Sequence, residues 1–266
     1  MNLMECKGHW ALVTGASAGI GREFCVQLAA AGLNLVLVAR REKLLETLGA
    51  ELSRRHGIQT LVLATDLSQP DAAAELKSRL ASQGFKIRLL INNAASGLWG
   101  RFEATRAESY EAMIRLNTAA VVSMCHHFLP DLTSFPTSAI INVSSPAALQ
   151  PVPFMAVYAA TKAFVQSFSQ ALYGEWSDRG VRVQTLYPGP TATEFDAKAG
   201  AYGNALTERG SPEPVVKASL SSLAQDGPLV VTAKGTYKQR IFAGLFPAKM
   251  VIQKVGKMFR PPGSQI

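Results

Sequence analysis

Thr14-Gly15-Ala16-Ser17-Ala18-Gly19-Ile20-Gly21 lies between two dissimilar stretches of this 266-residue chain. Before it runs the apolar Trp10–Val13 (WALV), which reads as a strand. After it, Ile20–Ala31 reads as a helix, ended by Gly32. A glycine-rich turn between strand and helix suits a pyrophosphate. Glycines let the backbone turn sharply and come close, and the helix N-terminus offers free N–H groups and positive potential. The spacing is G-x-x-x-G-x-G, not the commoner dinucleotide spacing G-x-G-x-x-G.

The next segment outward discriminates between dinucleotides. Leu33–Ala39 (LNLVLVA) reads as a strand, followed by Arg40-Arg41 and a polar helix over Glu42–Arg55. A chain that binds NAD usually places an Asp or Glu there to hold the ribose 2′-OH. This chain places two guanidinium groups, which match a 2′-phosphate by charge and by fork geometry. Positive charge near a helix N-terminus is unfavourable unless something uses it. The expected cofactor is therefore NADP(H) in preference to NAD(H), with Arg40 as main contact and Arg41 as helper.

The same alternation continues along the chain. Ile58–Ala64, Ile87–Ile91, Ala139–Val143 (AIINV) and Val181–Leu186 read as strands. Helices fall over Asp71–Ser82, about Glu108–Leu132, and Phe154–Trp176. Strands apolar on both faces and separated by helices predict an α/β protein. Right-handed crossovers make it a doubly wound parallel β-sheet flanked by helices on both faces, the Rossmann fold. Pro188–Arg209 is rich in Gly, Ala, Pro and Thr and reads as a mobile loop. Ser211-Pro212-Glu213 reads as a helix start with the serine as cap, and Pro228–Thr232 as a last strand. No polar linker divides the middle, so one domain is expected over 1–266. Its substrate loop falls at about 188–210 and a basic C-terminal segment at about 234–260.

Composition bounds the rest. With 48% hydrophobic and 17% charged residues, a packed core is expected rather than disorder. Met1–Trp10 carries Glu5 and Lys7 and lacks the features of a signal peptide, and no apolar run is long enough to span a bilayer. A cytoplasmic protein is expected. Cys6, Cys25 and Cys125 are widely spaced with no C-x-x-C pair, and read as buried reduced thiols. His9, His56, His126 and His127 show no ligand spacing, so no metal is expected.

Tyr158-Ala159-Ala160-Thr161-Lys162 lies early in the helix read over Phe154–Trp176, and positions i and i+4 share a face. A tyrosine is too weak a base at neutral pH, but a nearby ammonium stabilises its phenolate. Such a pair can give a proton to a developing alkoxide or take one from an alcohol.

With these landmarks in place the chain resembles the short-chain dehydrogenase/reductase family, in its single-domain branch. The resemblance covers roughly Lys7 to Phe195. It rests on the T-G-x-x-x-G-x-G turn, Asp66, Asn92-Asn93-Ala94, Asn117, Ser144-Ser145, Tyr158, Lys162 and Pro188-Gly189, in that order. The resemblance implies that Tyr158 is the proton donor and acceptor. Lys162 then holds the nicotinamide ribose and lowers the tyrosine pKa, Ser145 hydrogen-bonds the substrate oxygen, and Asn117 supports a proton relay behind the lysine. Gly15, Ser17, Ala18, Gly19, Ile20 and Gly21 form the phosphate turn. Asp66 and Leu67 border the adenine, and Asn93 and Ala94 lie on the adenosine ribose side. Pro188, Gly189, Thr191 and Thr193 are carried over to the carboxamide end. A homodimer or homotetramer is implied in the same way. Two departures stand out. Ala95 replaces the last glycine of N-N-A-G, which is costly if that site needs positive φ. Ala18 stands where many NADP-specific members carry a basic residue, which leaves discrimination mostly to Arg40.

The residues expected near the nicotinamide are mostly apolar: Pro146, Ala147, Leu149, Val152, Pro153, Phe154, Met155 and Pro190, with Phe195 and Tyr202 in the loop. No lysine or arginine is expected among them. A hydrophobic ketone, aldehyde or secondary alcohol, of steroid-like, aromatic or acyl-chain type, is the expected small-molecule substrate. Ser145, Ala147, Phe154, Pro190 and Phe195 are the chosen contacts.

The net charge of +8 is gathered in the tail. After Asp226 there is no acidic residue, but Lys234, Lys238, Arg240, Lys249, Lys254, Lys257 and Arg260 follow. Val251, Val255 and Met258 fall at helical spacing beside lysines. A helix packed on its own domain, on a subunit partner or at the substrate entrance is preferred to peripheral membrane contact, and nucleic-acid binding has no motif to support it. Two other readings stay open: a cofactor-binding regulatory or scaffold protein without turnover, and a membrane-associated lipid or steroid dehydrogenase.

Overall fold

Strands that bury both faces need helices on both faces, and the structure supplies them. The computed structural model describes residues 1–200, 209–233 and 235–261. Seven strands form one sheet: β1 (Trp10–Thr14), β2 (Asn34–Ala39), β3 (Thr60–Ala64), β4 (Ile87–Asn92), β5 (Ser138–Val143), β6 (Val181–Tyr187) and β7 (Leu229–Val231). All neighbours pair in parallel, in the order β3-β2-β1-β4-β5-β6-β7. β4 and β5 are buried along their whole lengths, as central parallel strands must be. The order reverses between β1 and β4. The chain leaves those two strands in opposite directions, and this opens a crevice at their C-terminal ends, where ligands bind in such sheets.

Helices α1 (Gly19–Ala30), α2 (Glu42–His56) and α8 (Pro212–Ser222) flank one face. Their side of the core includes Phe24, Leu28, Leu45, Val216 and Leu220, packed against Leu35, Leu37 and Ile141 of the sheet. Helices α3 (Ala72–Ser82), α5 (Ala120–Leu132) and α6 (Ala156–Trp176) flank the other. There Leu76, Phe128 and Trp176 pack against Leu12, Leu90 and Ile140. Fully burying one such side chain stabilises by about 1.5–3 kcal/mol, so these two layers dominate the fold's stability. A third, smaller cluster joins Met113 of α4 (Ala107–Ile114), Val152, Met155 and Tyr158 to Val251 and Val255. The last two belong to the C-terminal helix α10 (Ala248–Phe259), which follows α9 (Thr236–Leu245).

The expected long helix over Glu108–Leu132 is in fact α4 and α5 joined by a π turn, Arg115–Ala119. π turns of this kind are frequent at functional sites, and this one carries Asn117. The described part of the expected mobile loop is more ordered than its composition suggested. It forms α7 (Phe195–Ala199), whose Ala199 is buried and accepts a 2.9 Å hydrogen bond from the Trp99 N–H. Tyr202 lies outside the described residues. Ser211 does stand at the cap position of α8 with Pro212 after it, but its hydroxyl makes no capping bond. Ala95 carries no strain. Among the described non-glycine residues only Asp71 and Phe154 have positive φ, so the alanine fits where the resemblance implies glycine.

The C-terminal helix folds back over the crevice. Val251 and Val255 are buried, Gly256 approaches Pro153, and the Trp99 indole N–H donates to the Phe259 carbonyl at 2.8 Å. Met258, expected on the same apolar stripe, is 46% exposed. No helix among the described residues is long and apolar enough to cross a membrane.

Candidate active site

The glycine turn is shaped by three positions where a side chain has no room. Gly15 and Gly19 have φ of +68° and +54°, the left-handed region. A Cβ on Gly21 would lie 2.3 Å from the Gly15 carbonyl oxygen and 2.5 Å from Asn93 Nδ2. The turn is tied to the end of β4. Thr14 Oγ1 accepts from the Asn93 and Ala94 N–H groups at 2.9 and 3.0 Å, and Asn93 Nδ2 donates to Thr14 O at 3.0 Å. Gly21→Ala is expected to cost about 2 kcal/mol of stability by overpacking, and to weaken dinucleotide binding at least about tenfold. A thermal melt and a cofactor titration check it, and a normal melt with normal binding would overturn it.

At one end of the turn, Arg41 donates to Ser17 Oγ at 3.0 and 3.3 Å and pairs with Glu194 at 2.9 Å. Arg40 is exposed and makes no ion pair with any described residue. Its charge reaches Asp66. Burial pushes that carboxyl up, but hydrogen bonds from the Ser68 N–H and hydroxyl, helped by Arg40, outweigh burial and hold it below its ordinary value.

Past the other end stand the three chemical groups. Ser145 follows β5 and caps the short helical turn Pro146–Leu149, its Oγ accepting from the Ala147 N–H at 3.1 Å. Tyr158 and Lys162 enter from the first turns of α6, and both are buried. Lys162 Nζ donates to the Val143 carbonyl at 2.8 Å and lies 5.8 Å from the centre of the Tyr158 ring. Ser144 supports this wall from behind, donating to the Lys162 carbonyl at 2.8 Å. Burial pushes the Tyr158 hydroxyl up to about 12, and a hydrogen bond with Ser145 eases it back only in part. Burial also brings Lys162 down to about 8. A hydrogen bond with Ser145 favours the phenolate, and Lys162, with one N–H on Val143 O, keeps two more donors beside the ring.

Asn117 is fully buried behind this row. It accepts from the Ser96 N–H at 2.9 Å and donates to Ser96 O at 2.9 Å and Thr161 Oγ1 at 3.1 Å. It thereby joins the π turn to α6 through the residue preceding Lys162. Through these contacts it positions the start of α6.

One cavity of about 1420 Å³ collects these residues. Of the expected set it is lined by Gly15, Ser17, Ala18, Gly19, Ile20, Arg40, Arg41, Asp66, Leu67, Asn93, Ala94, Ser145, Ala147, Tyr158, Lys162, Pro188, Gly189, Pro190, Thr191, Thr193 and Phe195. Gly21 and Phe154 do not line it. Gly21 is consumed in the packing of the turn. Phe154 turns the chain into α6 with φ of +67°, and its carbonyl accepts from the Gly100 N–H. Leu149 and Pro153 also lie off the wall. The expectation of a wall without cations is corrected, because Lys238 of α9 and Lys254 of α10 line the cavity, together with Phe242, Val255 and Phe259. Leu98 and Met113 were missed as well. Only the tail's amphipathic spacing signalled that part of it folds inward.

The residues suit a dinucleotide. The turn offers a cradle that a Cβ would fill, and Ser17, Arg40 and Arg41 line the cavity beside it.

Comparison with known proteins agrees. The model of the short chain dehydrogenase family matches residues 9–202. A 7beta-hydroxysteroid dehydrogenase of Collinsella aerofaciens is 32% identical over 230 residues, covering 85% of this chain and 87% of its own. A short-chain dehydrogenase from Sphingobium yanoikuyae, solved in complex with NADPH, superposes with a TM-score of 0.80 at 32% identity, over 97% of this chain and 98% of that one. A bulky-bulky ketone specific alcohol dehydrogenase from Comamonas testosteroni gives 0.76 at 28% identity, over 97% of each chain.

Proposed function

The chain belongs to the short-chain dehydrogenase family and is an oxidoreductase acting on CH–OH and C=O groups, and from that premise we propose that it uses NADP(H) to interconvert a bulky apolar ketone and its alcohol. One observation carries the reading. One cavity is lined by Ser17, Arg40 and Arg41, by Ser145, Tyr158 and Lys162, and by the apolar Met113, Phe242, Val255 and Phe259. The NADPH complex and the bulky-ketone enzyme among the similar structures support the cofactor and the size of substrate.

A bound nicotinamide supplies or takes the hydride. The chain does the rest. The Ser145 and Tyr158 hydroxyls hold the substrate oxygen, and Tyr158 gives the proton in reduction and takes it in oxidation. Lys162 keeps a cation beside the tyrosine. Asn117 fixes the turn of α6 that carries both. Phe195, with its ring 5.2 Å from that of Tyr158, excludes water from the proton transfer.

The test is a titration with NADPH and NADH followed by a panel of apolar ketones. Tight NADPH binding with oxidation by bulky ketones is the expected result. Binding without turnover on any ketone or alcohol would favour a regulatory role instead.

Lys254 and Lys238 favour a refinement: an apolar body with an acidic end. Lys254 lies 4.5 Å over the Phe242 ring, so its ammonium stands on an apolar wall of the cavity. Lys254→Ala is expected to raise KM about five- to tenfold for keto acids and leave neutral ketones of the same size within twofold. Equal changes for both would remove the acidic end from the proposal. The exposed Phe102, Ile114 and Phe164 support a homo-oligomer, measurable by light scattering.

A further inference from the structure

Arg41 has a partner that a cofactor-binding arginine has no need of. Its guanidinium divides between two elements: Nε and one terminal nitrogen go to Ser17 of the glycine turn, and the other terminal nitrogen goes to the Glu194 carboxylate. Glu194 immediately precedes α7, in the segment that closes over the turn. Thr193 there lies so near Gly19 that a Cβ on the glycine would stand 2.7 Å from its methyl group. The next residue, Phe195, packs against Tyr158. One ion pair thus ties the 2′-phosphate end of the cavity to the segment covering the catalytic tyrosine.

We propose that Glu194 occupies, on Arg41, the place that the 2′-phosphate of the cofactor takes, so that phosphate and carboxylate compete for the one guanidinium. This rests on the NADP(H) reading above and adds a residue that sets the strength of the preference. Three observations support it. Arg41 holds Ser17 and Glu194 at hydrogen-bond distance together, so its donors are already aimed for an anion with several oxygens. Glu194 has a second cation, Lys198, one helical turn on, and the displaced carboxylate therefore keeps a partner. Both Arg41 and Glu194 are about two-fifths to half exposed, which makes the pair weak enough to exchange. Lys198, and after it Arg41, hold the Glu194 carboxyl below its ordinary pKa, so it is a full anion at neutral pH.

The competition is read with fragments that carry no nicotinamide: 2′,5′-ADP and 5′-AMP, which differ by the 2′-phosphate alone. Calorimetric titration of Glu194→Gln should show 2′,5′-ADP binding about three- to tenfold tighter than to the unaltered protein, with 5′-AMP unchanged within twofold. In an Arg41→Met background the same change should have no effect, because the shared partner is gone. Equal changes for both fragments, no change, or weaker 2′,5′-ADP binding in Glu194→Gln would each overturn the competition and leave the cofactor reading intact. An unaltered protein that binds 5′-AMP as tightly as 2′,5′-ADP would overturn both.

Discussion

Tyr158→Phe is expected to lower kcat/KM for ketone reduction by about 10²- to 10⁴-fold while leaving cofactor affinity within about twofold. The reason lies in what the substitution spares. The ring stays packed against Met155, Val255 and Phe195, and only the hydroxyl and its bond to Ser145 are lost. The melting temperature should move little, so a loss of rate cannot be assigned to unfolding. The pH dependence separates the two directions. Reduction needs the neutral phenol. With burial holding Tyr158 up to about 12, that form is fully populated at neutral pH, and the reductive rate should stay flat into the alkaline range. Oxidation needs the phenolate, whose population rises with pH below that value, so oxidative kcat/KM should climb from pH 7 to 9. Burial brings Lys162 down to about 8, so a break in either profile near that pH reports the lysine and not the phenol. Rates measured in both directions across pH 6–10 check this. Oxidation that is independent of pH, or a Phe variant that keeps more than a tenth of the activity, would remove Tyr158 from the proton transfer.

How much of this was legible beforehand depended on range in the sequence. The strands were legible because a parallel sheet demands continuous apolar runs, and WALV, LNLVLVA and AIINV have no polar alternation. That Tyr158 and Lys162 act at one place was legible because i and i+4 share a helix face, while Ser145 came from the resemblance. What failed to show was contact between distant segments. Near Lys254 the amphipathic spacing signals a packed helix, with the substrate entrance as one of its readings, but it does not single out that face. That face follows from Val251 and Val255 meeting Val152 and Met155, and from the bond between Trp99 and Phe259, 160 residues apart. Phe154 was misplaced for the opposite reason. It is the right kind of residue in the right segment, but its backbone turns with φ of +67°, which composition cannot reveal. Asn117 was found by resemblance alone. The π turn that places it interrupts an otherwise helical pattern without a glycine or proline to mark it.

Removing both guanidinium groups, Arg40→Ala with Arg41→Ala, should weaken NADPH binding about a hundredfold and change NADH binding less than about threefold. Charge-assisted contacts to a phosphate are among the strongest a surface offers, and two of them are lost at once. Exposure of Arg40 and partial exposure of Arg41 discounts each one through solvent screening, which is why the figure stays near two orders of magnitude. The single changes should be unequal. Arg40 makes no ion pair with the described residues, so Arg40→Ala removes a cation that is free for the phosphate. Arg41→Ala removes a contact that must first be won from Glu194, and at the same time releases Ser17 from its tie, so its net cost should be smaller. Salt gives an independent check, because screening acts on the phosphate contacts: raising ionic strength should weaken NADPH binding to the unaltered protein more than NADH binding, and the double variant should lose that difference. If NADPH and NADH weaken alike, the arginines serve the fold of the β2–α2 corner and the preference lies elsewhere. If NADPH alone weakens, Arg40-Arg41 holds the phosphate and the absence of an acidic residue at the end of β2 is explained by the cofactor the site binds.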